Sequence, residues 1–196
     1  MKKLTAVFIT MICAYTGFCQ GHFRVQAGPV FNYLKAEGSG GDFSKLNTGF
    51  TLGVGYEMVV AKNFSVQPEF NFTHLSAEEA VSSTTIKFDY IQIPVLLKAV
   101  TNTRNFSFYL GPQLGFLTKS SVKASGGGSQ DVKDNLTQTE FDAVVGLEYV
   151  LGNNIALNGR FIQGMSNVYK AEFDSPNTTR HQMFVLTVGY IFSKKK

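Results

Sequence analysis

Apolar and polar residues alternate with a period of two along most of the chain from Phe23 onward. This period sends successive side chains to opposite faces of a β-strand, so each run predicts a strand with one apolar and one polar face. The clearest run alternates Phe64, Val66, Pro68, Phe70 and Phe72 with Ser65, Gln67, Glu69, Asn71 and Thr73. Eight such runs begin near Phe23, Phe50, Phe64, Tyr90, Phe106, Phe141, Ile155 and Phe184. No competing helical period is present, so the pattern predicts an all-β fold of eight strands.

Short and long connections alternate between these runs. The short connections are residues 61–63, 101–105 and 152–154. The long polar connections are residues 35–46, 77–85, 119–136 and 170–179. Outer-membrane β-barrels have short periplasmic turns and longer extracellular loops. The alternation therefore predicts an eight-stranded antiparallel up-and-down transmembrane β-barrel with both chain ends on the periplasmic side.

Charged residues within the runs fall on the polar face. They are Arg24, Glu57, Glu69, Lys98, Asp142, Glu148 and Arg160. A charge that faces lipid loses its hydration at a large cost, so these side chains are expected to point into the lumen. Buried charges are tolerated when they are paired, which predicts a structural network of ion pairs with Glu57 and Glu69 as near neighbours. The interior of an eight-stranded barrel is only wide enough for side chains to fill it, so we expect no wide pore.

The first residues have the features of an export signal. Lys2 and Lys3 precede an uncharged segment that is shorter than the roughly 20 residues of a membrane-spanning helix. We therefore predict a signal peptide at residues 1–19 and a barrel domain at residues 20–196. A lipoprotein signal through Cys19 is the alternative, although Phe18 is bulky where such a signal needs a small residue.

Composition narrows the chemistry of the mature chain. Both cysteines lie within the predicted signal peptide and the three histidines are far apart, so we expect no disulfide and no metal site. The formal net charge of +4 includes Lys2 and Lys3, which leaves nothing that indicates nucleic-acid binding. No cofactor motif is present. Four prolines within the runs lack an amide donor, so we expect bulges or rim positions at Pro29, Pro68, Pro94 and Pro112.

Five ordered segments lie between Phe23 and Phe192. They are Val25-Gln26-Ala27-Gly28-Pro29, Phe64-Ser65-Val66-Gln67-Pro68-Glu69, Tyr90-Ile91-Gln92-Ile93-Pro94-Val95-Leu96-Leu97-Lys98, Tyr109-Leu110-Gly111-Pro112-Gln113-Leu114-Gly115 and Val188-Gly189-Tyr190-Ile191-Phe192. Together these segments resemble the PorT-like family of outer-membrane β-barrel proteins, often described as porin family proteins. The resemblance implies a barrel in the outer membrane of a Gram-negative bacterium. It implies periplasmic chaperones and the barrel-assembly machinery as partners. It also implies that Phe192 ends the strand that this machinery recognises. It supplies no catalytic residues.

Several functions fit this architecture. The leading hypothesis is a non-enzymatic membrane protein whose long loops bind an unknown extracellular ligand or stabilise the envelope. A narrow channel is the second, and a lipid-modifying enzyme is the third, with His74 and Ser76 on one strand face and Glu78 or Glu79 orienting the imidazole. A soluble lipocalin-type barrel would share the strand count but would turn its apolar face inward.

Overall fold

Each alternating run forms a strand in the computed structural model. The structure describes residues 21–37, 47–78, 85–101, 105–123, 129–131, 137–152, 154–166 and 178–192. The strands are β1 Gly21–Glu37, β2 Asn47–Ala61, β3 Phe64–Glu78, β4 Thr85–Val100, β5 Phe106–Lys123, β6 Ser129–Asp131, β7 Thr139–Leu151, β8 Ile155–Gly164 and β9 Thr178–Phe192. The predicted signal peptide, residues 1–19, lies outside the described residues.

The first and last strands close the sheet. β1 pairs with β2 on one side and with β9 on the other, and the order around the barrel is β1, β2, β3, β4, β5, β7, β8, β9. Every neighbouring pair is antiparallel. The short β6 pairs with the loop end of β5 and adds a hairpin beyond the barrel wall. Closure removes the sheet edge, which is the condition for a β-structure in hydrocarbon, and the predicted eight-stranded barrel is confirmed.

The described residues of the three short connections lie at one rim, and each connection has an asparagine that forms a hydrogen bond with the next strand. The Asn63 side chain donates to the Val100 carbonyl at 3.0 Å, and the Asn154 side chain donates to the Ile191 carbonyl at 2.7 Å. The Asn105 carbonyl accepts from the Val150 amide at 2.7 Å. These bonds extend the ladders into the turns, which keeps backbone groups satisfied at this rim.

The outward face of the barrel is apolar. It carries large exposed side chains on all eight long strands, with Leu110 exposed to 62% and Leu52 to 58%. A water-soluble monomer rarely exposes so large a continuous apolar surface, whereas lipid requires one. The inward positions carry most of the buried polar residues. This orientation is the reverse of the lipocalin arrangement. No helix of the described chain has the length and apolarity needed to cross a bilayer.

The alternation inverts where β3, β4 and β5 approach the loop rim. Leu75, Phe88 and Leu117 are buried inside the barrel, while their neighbours His74 and Asp89 face outward and are part-exposed. A barrel wall that is surrounded by water rather than lipid has apolar side chains inside and polar side chains outside. The apolar belt therefore ends below this level on these three strands.

The strand prolines lie neither at bulges nor at strand ends, so the expectation of bulges or rim positions was wrong. β1 keeps one register with β9 on both sides of Pro29, since Ala27 pairs with Val188 and Val30 pairs with Val185. Among the described strands, the register shifts lie between Val59 and Ala61 and between Asp89 and Tyr90.

Glycine accommodates two of these prolines. A Cβ on Gly28 would lie 1.9 Å from the Leu186 carbonyl oxygen, and one on Gly111 would lie 2.0 Å from the Val95 carbonyl oxygen. Each glycine precedes a proline, whose missing amide interrupts the ladder. The facing strand therefore approaches the glycine Cα closely without a change of register.

Candidate functional site

Two basic and two acidic side chains fill the end of the lumen near the short turns. Lys98 Nζ lies 2.8 Å from Glu57 Oε2 and 2.7 Å from Glu148 Oε1. Arg24 Nη2 lies 3.0 Å from the same Glu57 oxygen, and Arg24 Nη1 makes a short ion pair with Glu148 Oε2. Each base bridges both acids, so formal charges balance within the group. Balance and mutual bonding offset the desolvation that burial imposes.

Neutral side chains add hydrogen bonds to this group. Ser65 Oγ donates to Glu57 Oε1 at 2.7 Å, and Lys98 Nζ also donates to Gln67 Oε1 at 3.1 Å. Ser65 and Gln67 are successive inward positions of β3, so the strand period delivers both to the lumen.

A second ion pair lies one step toward the loops. Arg160 Nη1 donates to Glu69 Oε2 at 2.8 Å, and its guanidinium carbon lies 5.6 Å from the centre of the Tyr109 ring. Glu69 also accepts hydrogen bonds from Gln26 at 2.8 Å and from Asn71 at 3.0 Å. The cluster formed by Arg24, Glu57, Glu69, Lys98, Glu148 and Arg160 is called the ionic cluster below.

The sequence grouped seven charged residues, and the structure brings six of them into the ionic cluster. Asp142 lies further toward the loops, where it accepts a hydrogen bond from Gln113 at 2.8 Å. Glu57 and Glu69 are one inward position apart on adjacent strands, since Gly55 is the register partner of Glu69. Their carboxylates nevertheless bind different bases, Glu57 with Arg24 and Lys98, and Glu69 with Arg160.

Sequence reasoning missed two features of the loop-side lumen. The first is the acid Glu140, which accepts a hydrogen bond from the buried Tyr90 hydroxyl at 3.1 Å. The second is a set of buried apolar side chains nearer the loop ends of their strands, called the apolar cluster below. It comprises Val30, Leu75, Phe88, Leu117, Ile162, Met183 and Val185. The inverted alternation on β3 to β5 was the signal that could have revealed part of this cluster.

Cavities are unequally distributed along the lumen. A cavity of about 370 Å³ opens at the short-turn rim and ends on Glu57 and Glu148. Midway along the barrel, a cavity of only about 10 Å³ remains between the ionic and apolar clusters. A space of that size holds one water molecule at most. The rim cavity is therefore a vestibule that ends at the ionic cluster.

Two of the candidate enzymatic residues, His74 and Ser76, lie on the outer face of β3 near the loop rim. His74 Nδ1 lies 2.5 Å from Asp89 Oδ1, the register partner across β3 and β4. Asp89 thus takes the place that the sequence interpretation gave to an acid at 78 or 79. The Glu78 side chain and Glu79 fall outside the described part of the chain. Within the described residues, no hydrogen bond joins His74 to Ser76, so the nucleophile is not engaged by the base.

Among the residues that the structure describes, no group of three or more His, Cys, Asp or Glu side chains is placed to hold a metal ion.

Known proteins share this architecture. The chain is similar to the crystal structure of Ail, the attachment invasion locus protein of Yersinia pestis, with a TM-score of 0.56, 20% identity, and coverage of 88% of this chain and 99% of that chain. It is also similar to Neisserial surface protein A, with a TM-score of 0.61, 17% identity, and coverage of 87% and 97%. No curated protein matches the chain in sequence.

The closed barrel and its apolar exterior define an eight-stranded outer-membrane β-barrel protein. The model of the family described as outer membrane protein beta-barrel domain matches residues 13–170. The chain belongs to that family, and the protein is located in the outer membrane.

Proposed function

We propose that this protein is a closed, non-enzymatic barrel that acts at the cell surface through its long loops. One observation carries the proposal: the cavity between the ionic cluster and the apolar cluster has a volume of only about 10 Å³. A barrel without a continuous lumen presents its loops and its exterior as the surfaces available to a partner. Loops on a rigid scaffold are also where binding residues are concentrated in many proteins.

The Ail structure contains sucrose octasulfate, a heparin analogue. That complex concerns Ail alone, but it illustrates that a barrel of this fold can carry a ligand. The loops of the present chain contain both acids and bases, so their charge favours no ligand class. We also propose the PorT-like subgroup, on the five segments given above, and biogenesis through periplasmic chaperones and the barrel-assembly machinery.

The binding role is tested with the purified barrel in nanodiscs on an array of immobilised glycans. The matched control replaces residues 124–136 with a glycine–serine segment of the same length, which is long enough to connect Lys123 of β5 to β7 without shortening either strand. We expect the intact barrel to bind a subset of glycans and the loop-replaced barrel to lose that binding. Equal binding by both barrels, or none by the intact barrel, would contradict the proposal.

The channel alternative depends on the vestibule, which reaches from the short-turn rim to Glu57 and Glu148. Liposome swelling in small sugars distinguishes it from a closed barrel. We expect no swelling above that of empty liposomes, and swelling that depends on the amount of protein would favour the channel.

The enzyme alternative is favoured by one contact, the His74 to Asp89 pair, because an acid on Nδ1 is the arrangement that orients a catalytic imidazole. Mass analysis of lipid A incubated with the wild-type barrel and with His74→Ala tests it. We expect identical spectra, and an acyl loss that requires His74 would establish the enzyme.

A further inference from the structure

The outward face of β3, β4 and β5 carries a polar patch directly above the apolar belt. Two register-paired rows form it. The lower row is His74 on β3, Asp89 on β4 and Lys119 on β5, and the upper row is Ser76, Lys87 and Ser121. The six residues are called the rim patch, and all are part-exposed or exposed on the outer face.

The apolar belt ends directly beneath the rim patch. Phe72, Ile91 and Phe116 form the register-paired row below it, with Phe72 exposed to 38% and Phe116 to 37%. This transition between rows lies on the side of the barrel that carries the long loops, which face the cell exterior. The rim patch is thus at the depth of the lipid headgroups, with acyl-chain contacts immediately below.

Cations outnumber anions in the rim patch. Lys87 and Lys119 occupy a diagonal position on neighbouring strands, where Cα atoms are about 7 to 8 Å apart. Two lysine side chains at that spacing can reach one phosphate. The single carboxylate, Asp89, is bound by His74 at 2.5 Å.

The backbone at this point is shaped by an extra residue. The register of β4 and β5 shifts between Asp89 and Tyr90, which leaves Thr118 without a register partner on β4. Its hydroxyl donates to the Asp89 carbonyl at 2.8 Å. The bulge gives Lys119 the same outward direction as Asp89, and therefore places it within the rim patch.

We propose that the rim patch binds the phosphate-bearing headgroup of an outer-leaflet lipid, with Lys87 and Lys119 as the phosphate ligands. The acyl chains of the lipid contact the apolar row below the patch, which is Phe72, Ile91 and Phe116. A lipid satisfies both halves of the surface at once, because it carries an anion directly above an apolar chain. This goes beyond the proposed loop function, which does not depend on it.

The test uses native mass spectrometry of the purified full-length barrel titrated with phosphorylated lipid A in detergent. The variants are Lys87→Gln with Lys119→Gln, the charge-retaining pair Lys87→Arg with Lys119→Arg, and Lys62→Gln as a control lysine exposed at the opposite rim. We expect binding to weaken about fivefold for each lysine lost, to be retained in the arginine pair, and to be unchanged in Lys62→Gln. Far-UV circular dichroism verifies that each variant is folded.

Lipid A from which the phosphates have been removed is expected to bind the wild-type barrel as weakly as phosphorylated lipid A binds the glutamine pair. Unchanged binding by a folded glutamine pair would overturn the proposal. So would displacement of the lipid by an equal concentration of inorganic phosphate, or recovery of lipid A with an altered mass.

Discussion

The two halves of the lumen close the same barrel with opposite chemistry. Near the short turns, the ionic cluster fills the interior with bases and acids that bridge one another. Nearer the loops, the apolar cluster fills it with branched and aromatic side chains. The ionic half is surrounded by lipid-facing apolar residues, whereas part of the apolar half is surrounded by the rim patch. The difference teaches that the inner face has the opposite polarity to the outer face where β3 to β5 reach the loop rim. On β8 and β9 the apolar cluster instead lies behind outward apolar side chains, Phe161 and Phe184.

The stability of the ionic half is expected to depend on the balance of its buried charges more than on any single ion pair. Glu148→Met leaves Arg24 and Lys98 with one shared carboxylate, and Arg24→Met removes a bridge between two acids. Each single change is expected to lower the free energy of unfolding by about 4 kcal/mol, because it leaves uncompensated buried charge. The Arg24→Met, Glu148→Met double variant keeps the neutral pair of Lys98 and Glu57, so we expect it to lose less than either single variant.

These free energies are measured by urea unfolding from lipid vesicles and followed by far-UV circular dichroism, since the chain contains no tryptophan. A double variant whose loss equals the sum of the two single losses would contradict a balanced cluster.

The stability of the apolar half is expected to depend on the packing of its side chains. Leu75 is fully buried at the loop end of β3, and Leu75→Ala removes contacts without exposing a charge. We expect a loss of about 3 kcal/mol from transfer and cavity formation. Leu75→Met keeps the volume and is the matched control, with an expected loss below about 1.5 kcal/mol. Equal losses in the two variants would show that packing is not what stabilises this half.

The strand count and the facing of each strand were predictable from the sequence, because the period of two is visible without knowledge of any partner strand. Which charged side chains pair with one another in the lumen was not predictable from the sequence. Arg24 and Glu148 are 124 positions apart and meet only through barrel closure and its register. The apolar cluster was missed for a different reason. Leu75 and Phe88 lie between polar residues that face outward, so a rule that assigns apolar residues to lipid places them on the wrong face.

Two buried hydroxyl groups separate the stability gained from a hydrogen bond to the ionic cluster from the effect of burial alone. Ser65 Oγ donates to Glu57, so Ser65→Ala is expected to lower the free energy of unfolding by about 1.5 kcal/mol. Thr187 Oγ1 makes no hydrogen bond to the described residues, so Thr187→Val is expected to cost less than about 0.5 kcal/mol. The same urea unfolding measures both, and a larger loss in Thr187→Val than in Ser65→Ala would contradict the assignment.

Closure of the lumen by both halves is tested most directly by two-sided thiol labelling of single-cysteine variants. The native cysteines lie at positions 13 and 19, inside the predicted signal peptide, so each mature variant carries one thiol. Lys62→Cys at the short-turn rim and Lys119→Cys at the loop rim report the two sides. Thr73→Cys reports the narrow region between the two clusters, where Thr73 is 1% exposed.

We predict that a membrane-impermeant methanethiosulfonate cation labels Lys62→Cys only from the periplasmic side and Lys119→Cys only from outside, and that it labels Thr73→Cys from neither. Labelling of Thr73→Cys from either side at the rate of the rim variants would contradict a lumen that is closed between the ionic cluster and the apolar cluster.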